Sequence, residues 1–147
     1  MNAEDVLKYG HMTVQGTLDG LDYKHWDTPD VCGVWSVREI IAHLSSFEQM
    51  LIAVLDSLLD GPPSTPLLDS FKSDPLRFND DQVAQRATMS PGAVLAEYDA
   101  GQQQARLLLT RISPERRRQP GILPWYGAEY DLEDLLAYSF YGHKREH

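Results

Sequence analysis

Hydrophobic residues recur at helical spacing in four stretches of the chain. The clearest stretch starts at Ser36, which with Glu39 three residues later matches a capping box. Its apolar positions lie three and four residues apart; they are Val37, Ile40, Ile41, Leu44, Phe47, Leu51, Val54, Leu55 and Leu58. Gly61 and Pro62 predict its end, because glycine accepts a left-handed terminal conformation and proline cannot continue the helix. The pattern predicts a long core helix.

The first stretch is less regular. Asn2 can cap the amide of Asp5, which predicts a helix that starts there and ends near Trp26, before a Thr-Pro-Asp turn. A loose apolar stripe supports the helix: Val6, Leu7, Tyr9, Leu18 and Leu21. The glycines at positions 10, 16 and 20 each cost about 1 kcal/mol relative to alanine inside a helix. We therefore expect packing against neighbours to hold this segment together.

Two further helices are predicted in the second half of the chain. Ser90 caps the third helix, with Pro91 at its favoured first position, and Ser113 and Pro114 close it. Asp131 caps the fourth helix. Their apolar positions are Val94, Leu95, Tyr98, Ala105, Leu108, Leu109 and Ile112 in the third helix and Leu132, Leu135, Leu136 and Phe140 in the fourth.

Residues 61–79 separate the second and third helices. They contain four prolines among Ser, Asp and Asn, a composition that favours a connection without helix or strand, with room for a short helix around 80–87. No stretch shows strand-like alternation. The chain therefore predicts an all-α, antiparallel four-helix bundle, a single domain over 1–147, with a long connection between helices 2 and 3.

Composition narrows the environment and the partners. The chain is 42% hydrophobic and 24% charged, as soluble globular proteins are, and no apolar run approaches the roughly 18 residues that span a bilayer. The N-terminal residues do not resemble a signal peptide, which favours the cytoplasm and no membrane association. A net charge of −9 disfavours nucleic acid, because binding to phosphates depends on basic residues.

Two minor features carry no predicted function. Arg116, Arg117 and Arg118 follow a Ser-Pro-Glu turn, and a solvated loop explains them best. Cys32 is the single cysteine, so it cannot form an internal disulfide, and its place in a turn before Trp35 predicts an inert thiol.

His43 falls three residues after Ile40 and four before Phe47. Helical geometry therefore turns its imidazole toward the buried face. Taken alone, a core histidine is most simply a neutral ring hydrogen-bonded to a facing side chain.

His143 and His147 are four residues apart and continue the apolar stripe of the fourth helix. This spacing allows two imidazoles to converge on one ion, although it also suits a solvated last turn. Three inward imidazoles would be costly in an apolar core unless something binds them. Together with His43, the pair predicts a three-histidine metal site with one coordination position left open for water or substrate.

The remaining polar candidates are weaker. His11 and His25 lie on the irregular first helix and are predicted to be surface histidines outside the site. Glu48, Tyr130 and Tyr141 lie near the predicted ligands, where a proton donor or a partner of a ligand is one role. Surface or packing positions explain these three more simply.

Several motifs carry a family resemblance. The stretch from Trp35 to Leu44, WSVREIIAHL, resembles the first signature of the DinB-like superfamily of metal-binding four-helix bundles. The spacing of His143 and His147 is similar to the His-x-x-x-His of its final helix, and Phe78-Asn79 is similar to a Phe-Asn pair before its third helix. The dipeptide Trp125-Tyr126 resembles the DfsB and ClbS branch.

The resemblance implies a function as well as a fold. It implies that His43, His143 and His147 bind a divalent metal ion such as zinc or nickel, in a superfamily that includes thiol-dependent transferases and isomerases and small-molecule hydrolases. Its members are often dimers, and they usually continue the last helix beyond the second histidine. This sequence stops at His147, so we expect fraying to weaken that ligand.

The leading hypothesis is therefore a metal-dependent hydrolase or thiol-dependent transferase that acts on a small molecule. A low-molecular-weight thiol is the expected co-substrate of the transferase, and a homodimer is the expected assembly. The alternative is a non-catalytic, stress-related or protein-binding bundle whose histidines form a polar core network. A cavity beside the ligands would favour the enzyme.

Overall fold

The computed structural model describes residues 2–147, and throughout that range its regular structure is helical. The α-helices are α1 (Ala3–Leu18), α2 (Val37–Ser57), α3 (Pro66–Ser73), α4 (Pro75–Gln85), α5 (Pro91–Thr110), α6 (Pro114–Arg117), α7 (Leu132–Leu135) and α8 (His143–Glu146). A π-helical stretch, Leu136–Gly142, joins α7 to α8. The predicted all-α class is confirmed. Within residues 2–147, no helix combines the length and the apolar character needed to cross a membrane.

The chain divides into two compact units. Residues up to Asp19 and from Arg106 to the end form one, called here the terminal unit, and Gly20–Ala105 forms the other, called the central unit. The single domain over 1–147 stays a prediction.

In the central unit, α2 begins as predicted. The Ser36 hydroxyl accepts a hydrogen bond from the Glu39 amide at 3.2 Å, and the Glu39 carboxylate accepts one from the Ser36 amide at 3.3 Å, which completes the capping box. Every residue from Ile40 to Glu48 is buried. The helix ends at Ser57, and the Gly61 amide then bonds back to the carbonyl of Asp56 at 2.9 Å.

The connection between α2 and α5 is long, as predicted, but the expectation that residues 61–79 lack helix is wrong. It contains α3 and α4. Thr65 and Asp74 cap these helices, and a proline follows each cap at the first helical position. Proline is well tolerated there because that amide has no helical partner. These two prolines therefore start helices and do not break them.

Aromatic side chains pack this connection against α2. The Phe47 ring lies 5.6 Å from that of Phe71 on α3 and 6.3 Å from that of Phe78 on α4, both edge to face. The two connection rings also contact each other at 5.5 Å. Edge-to-face pairs add to the stabilisation from burial, so the connection is part of the core of the central unit.

In the terminal unit, α1 starts where the sequence predicts and ends earlier. The Asn2 side chain accepts a hydrogen bond from the Asp5 amide at 2.9 Å. The helix ends at Leu18, not near Trp26, because Gly20 adopts a left-handed backbone with φ of 76°, which a continuing helix cannot contain. Only a short 3₁₀ turn, Tyr23–His25, follows before Trp26.

A buried arginine ties together three parts of the terminal unit. Arg117 is 5% exposed, and its guanidinium donates to the backbone carbonyls of Leu109 at 2.7 Å and Ile112 at 2.8 Å. It also pairs with the Glu4 carboxylate at 3.0 Å. The prediction of a solvated arginine cluster is therefore wrong for this residue, whose guanidinium binds one backbone carbonyl in the last turn of α5 and one just after it.

Candidate metal centre

His43 lies on α2 in the central unit and points inward, as its spacing predicts. It is 2% exposed. Its ring contacts those of Trp35 and Phe47, each with a centroid distance of 4.8 Å. The Ser46 hydroxyl donates to the backbone carbonyl of His43 at 2.6 Å. Aromatic packing therefore restricts the orientation of the imidazole.

A cleft of about 260 Å³ opens beside Trp35, and its lining belongs entirely to the central unit. The lining residues are Trp35, Arg38, Glu39, Asp80, Val83, Ala84 and Ala87. The Arg38 guanidinium is held at 2.6 Å by the Asp27 carboxylate. Because Trp35 contacts both the cleft and the His43 ring, its indole separates a solvent-accessible space from the buried imidazole. Sequence reasoning quoted Trp35 in the motif but gave it no role.

His143 and His147 lie in the terminal unit and are brought together. Their Nε2 atoms are 3.1 Å apart, the ring centroids are 4.7 Å apart, and both side chains are half-buried. Two imidazole nitrogens bound tetrahedrally to one zinc-like ion at 2.0–2.1 Å would be about 3.3 Å apart. The observed spacing therefore fits a shared ion with little adjustment.

The electrostatic surroundings favour the neutral form of this pair. Burial, then the charges of His147 and Lys144, lowers the pKa of His143 to about 4. Burial also lowers the pKa of His147, against an opposing effect of Glu146. A histidine must be neutral to bind a metal, so at neutral pH both rings are in the ligating form.

The donor set as a whole suits a divalent metal. His43, His143 and His147 each offer one ring nitrogen as a candidate ligand. Imidazole nitrogens suit zinc, nickel, copper and iron, so the donor set does not identify the metal.

The other candidate residues differ in how far they are exposed to solvent. His25 is exposed and His11 is half-buried on α1; neither belongs to the three-histidine group. Tyr130 is 39% exposed, and its ring contacts that of Tyr126 at 5.3 Å. Tyr141 is half-buried and lies near Gly10 of α1, which indicates packing.

Glu48 is fully enclosed in the central unit, at 1% exposure. Burial, then the charges of Glu48 and Asp99, raises the pKa of Tyr98 above its usual range. The phenol therefore stays protonated in the physiological range. The surface position considered for Glu48 is therefore wrong, and its role as a partner of a ligand stays a prediction.

The fold and the candidate site together define the class of protein: an all-helical protein whose histidines are candidate metal ligands. A model of the DinB superfamily matches residues 7–147, so the chain belongs to this family, and its all-helical structure is consistent with a DinB-like helical bundle. Searches of curated proteins and of solved structures returned no significant match. Assignment to the DfsB and ClbS branch stays a prediction.

Proposed function

We propose that this chain is a metal-dependent enzyme acting on a small molecule, with His43, His143 and His147 as ligands of one divalent ion. Zinc and nickel are the leading candidates for the ion. The 3.1 Å approach of the His143 and His147 Nε2 atoms carries the proposal. That spacing is close to that of two ligands on one tetrahedral ion, and it is also the spacing of a hydrogen bond between the two rings.

Three further observations support the ligand set. The chain belongs to the DinB superfamily. His43 provides a third nitrogen from a buried ring. The lowered pKa values of the other two rings keep them neutral and able to coordinate. Three protein nitrogens leave one tetrahedral position open, as catalytic metal sites do.

The chain's own residues supply binding and orientation. Trp35 and Phe47 exclude water from the His43 ring and limit its rotation. None of the three proposed ligands lines the cleft beside Trp35, so that cleft does not by itself place a substrate at the ion. When bound, the ion supplies a Lewis acid that lowers the pKa of a coordinated water or thiol. Hydrolysis and transfer from a low-molecular-weight thiol are the two reaction classes that follow.

Metal content measured on untagged protein tests the site. Wild type, His43→Ala, His143→Ala and His147→Ala would be incubated with one equivalent of zinc or nickel, dialysed against a weak chelator and analysed by mass spectrometry. His25→Ala, which removes an exposed histidine, is the matched control. Wild type and control should keep about one equivalent, and each ligand variant should lose most of it.

The possible outcomes distinguish whether the protein binds a metal from whether it catalyses a reaction. Folded wild type that keeps no metal would refute the metalloenzyme. Where metal is kept, turnover of thiol and electrophile pairs, or of activated esters and amides, should disappear on chelation and return with the ion. A metal-loaded protein inactive on both panels would favour a non-catalytic role.

A further inference from the structure

The helix that carries the histidine pair is not a regular α-helix. Leu136–Gly142 is π-helical, seven residues long, and ends directly before His143. In a π-helix each amide bonds five residues back instead of four, so one additional residue is accommodated in the turn. Such stretches are usually a single turn and occur frequently at functional sites. The position next to the proposed ligands therefore calls for a physical explanation.

The burial pattern shows what the additional residue does. Leu132, Leu136, Phe140 and Lys144 are all buried, at a spacing of four residues. In an uninterrupted α-helix each step of four residues drifts by about 40°, so Lys144 would lie about 120° from Leu132. Accommodating one additional residue removes about 100° of that drift. The π stretch thus keeps this four-residue repeat on one side of the helix.

That side faces α1. The π stretch and α8 both pack on α1, and a Cβ placed at Gly10 would lie 3.4 Å from the Lys144 Cδ and 3.5 Å from the Tyr141 ring. The close approach at Gly10 fixes the rotation of α8 about its own axis. Contacts within the terminal unit therefore determine the directions in which the side chains of α8 project around the helix axis, called here its phase.

The phase of Lys144 also determines where the imidazoles lie. His143 is one residue earlier, about 100° around the axis, and His147 is three residues later, about 60° around in the same direction. We propose that the π stretch is the positioning element of the metal centre: its additional residue rotates His143 and His147 together onto the face beside the one packed on α1. That the positioned rings bind a metal ion rests on the proposed function.

Changes of length in the π stretch test the proposal. Deletion of Tyr138, which is 68% exposed, should let an uninterrupted α-helix form with His143 and His147 in their present phase. Insertion of one alanine after Tyr138 should rotate both rings by about 100°. Tyr138→Ala, which changes neither length nor phase, is the matched control. Zinc affinity would be measured by competition with a chromophoric chelator.

We expect the deletion variant and the control to bind zinc as wild type does, and the insertion variant to bind at least about tenfold more weakly. A folded deletion variant that has lost zinc, or an insertion variant that binds like wild type, would overturn the proposal. So would a deletion variant that does not fold, because an uninterrupted helix in the same phase should be at least as stable.

A second measurement tests the orientation of α8 about its own axis in the absence of metal. In chelator-treated protein, nuclear Overhauser contacts between Gly10 and the Lys144 side chain should be present in wild type and in the deletion variant, and absent in the insertion variant. If wild type binds no zinc but these contacts follow the expected pattern, the proposed function fails while the positioning geometry stands. Contacts that survive the insertion refute the positioning itself.

Discussion

α2 and the segment over residues 132–146 each carry proposed ligands but are built differently. α2 is one uninterrupted helix of 21 residues that starts in a complete capping box. The later segment also starts in a capping box, at Asp131 and Asp134, but it consists of two four-residue α-helices joined by a π stretch. His43 is buried and surrounded by aromatic rings, whereas His143 and His147 are half-buried.

The difference indicates two ways of holding a ligand. His43 is fixed by the core of a long helix, so its orientation persists for as long as the central unit is folded. His143 and His147 depend on the phase of short helical pieces and on contacts with α1. Segments built from such pieces open at lower free energy than core helices do. Changes in α2 should therefore act on stability first, and changes in the later segment should act on metal binding first.

The largest effect is expected from a cavity in α2. Leu51 is 0% exposed, and Leu51→Ala should lower the free energy of unfolding by about 3 kcal/mol, through lost burial and the cavity left behind. Urea unfolding followed by circular dichroism measures the change. The ligands are untouched, so zinc affinity of the folded fraction should stay close to that of wild type.

Leu107→Ala is the matched control, because Leu107 is 69% exposed and its loss should change stability by less than about 0.5 kcal/mol. Equal effects of the two substitutions would show that α2 is not a rigid core element. A loss of zinc by folded Leu51→Ala would break the proposed division between stability and binding.

A smaller effect is expected in the terminal unit, from its buried cation. Arg117→Ala removes donors to the carbonyls of Leu109 and Ile112 and the ion pair with Glu4. The Ile112 carbonyl loses its side-chain partner, whereas the Leu109 carbonyl keeps a hydrogen bond from the Ile112 amide at 3.0 Å, so we expect a loss of about 2 kcal/mol. Glu4 is half exposed and can be solvated. Thermal and urea unfolding measure the loss.

Arg118→Ala provides the comparison within the same run of arginines. Its guanidinium is 65% exposed and lies 3.5 Å from the Glu133 carboxylate, a surface pair worth about 0–1 kcal/mol. If both substitutions cost the same, the buried hydrogen bonds of Arg117 do not stabilise the terminal unit.

The N-terminal ends of the helices are the part of the fold that the sequence predicts best. Asn2, Ser36, Ser90 and Asp131 cap helices as the sequence predicts, because a cap depends on residues three positions apart. α3 and α4 follow the same rule through Thr65-Pro66 and Asp74-Pro75. The sequence predicts no helix at α3 and allows one only over the second half of α4, because clustered prolines favour a loop unless each follows a cap.

Features that depend on contacts between residues far apart in the sequence could not be predicted. The burial of Arg117 requires the carbonyl ends of α5 and the side chain of Glu4, more than a hundred residues earlier. The π stretch requires α1 as a packing partner, since local spacing alone fits an α-helix. At the site, the spacing of His143 and His147 predicted their convergence, but their phase depends on the π stretch.

The smallest effect is expected from pH, and it is specific to the histidine pair. The pKa of His143 is lowered to about 4 in the folded protein, against about 6.5 in an unfolded chain. Between these values the unfolded chain binds more protons, so the free energy of unfolding falls as pH is lowered below about 6.5. Above that pH, this group adds no pH dependence. The lowered pKa of His147 acts in the same direction.

Urea unfolding of chelator-treated protein at pH 7.5 and 5.5 measures the effect, in a window where most carboxylates stay ionised. His143→Gln keeps a polar side chain without a titrating ring, so stability should fall less between the two pH values than in wild type. His25→Gln, at an exposed position, should behave as wild type. An undiminished fall in His143→Gln would mean that this imidazole is not desolvated in the folded protein, and the comparison with α2 would lose its electrostatic part.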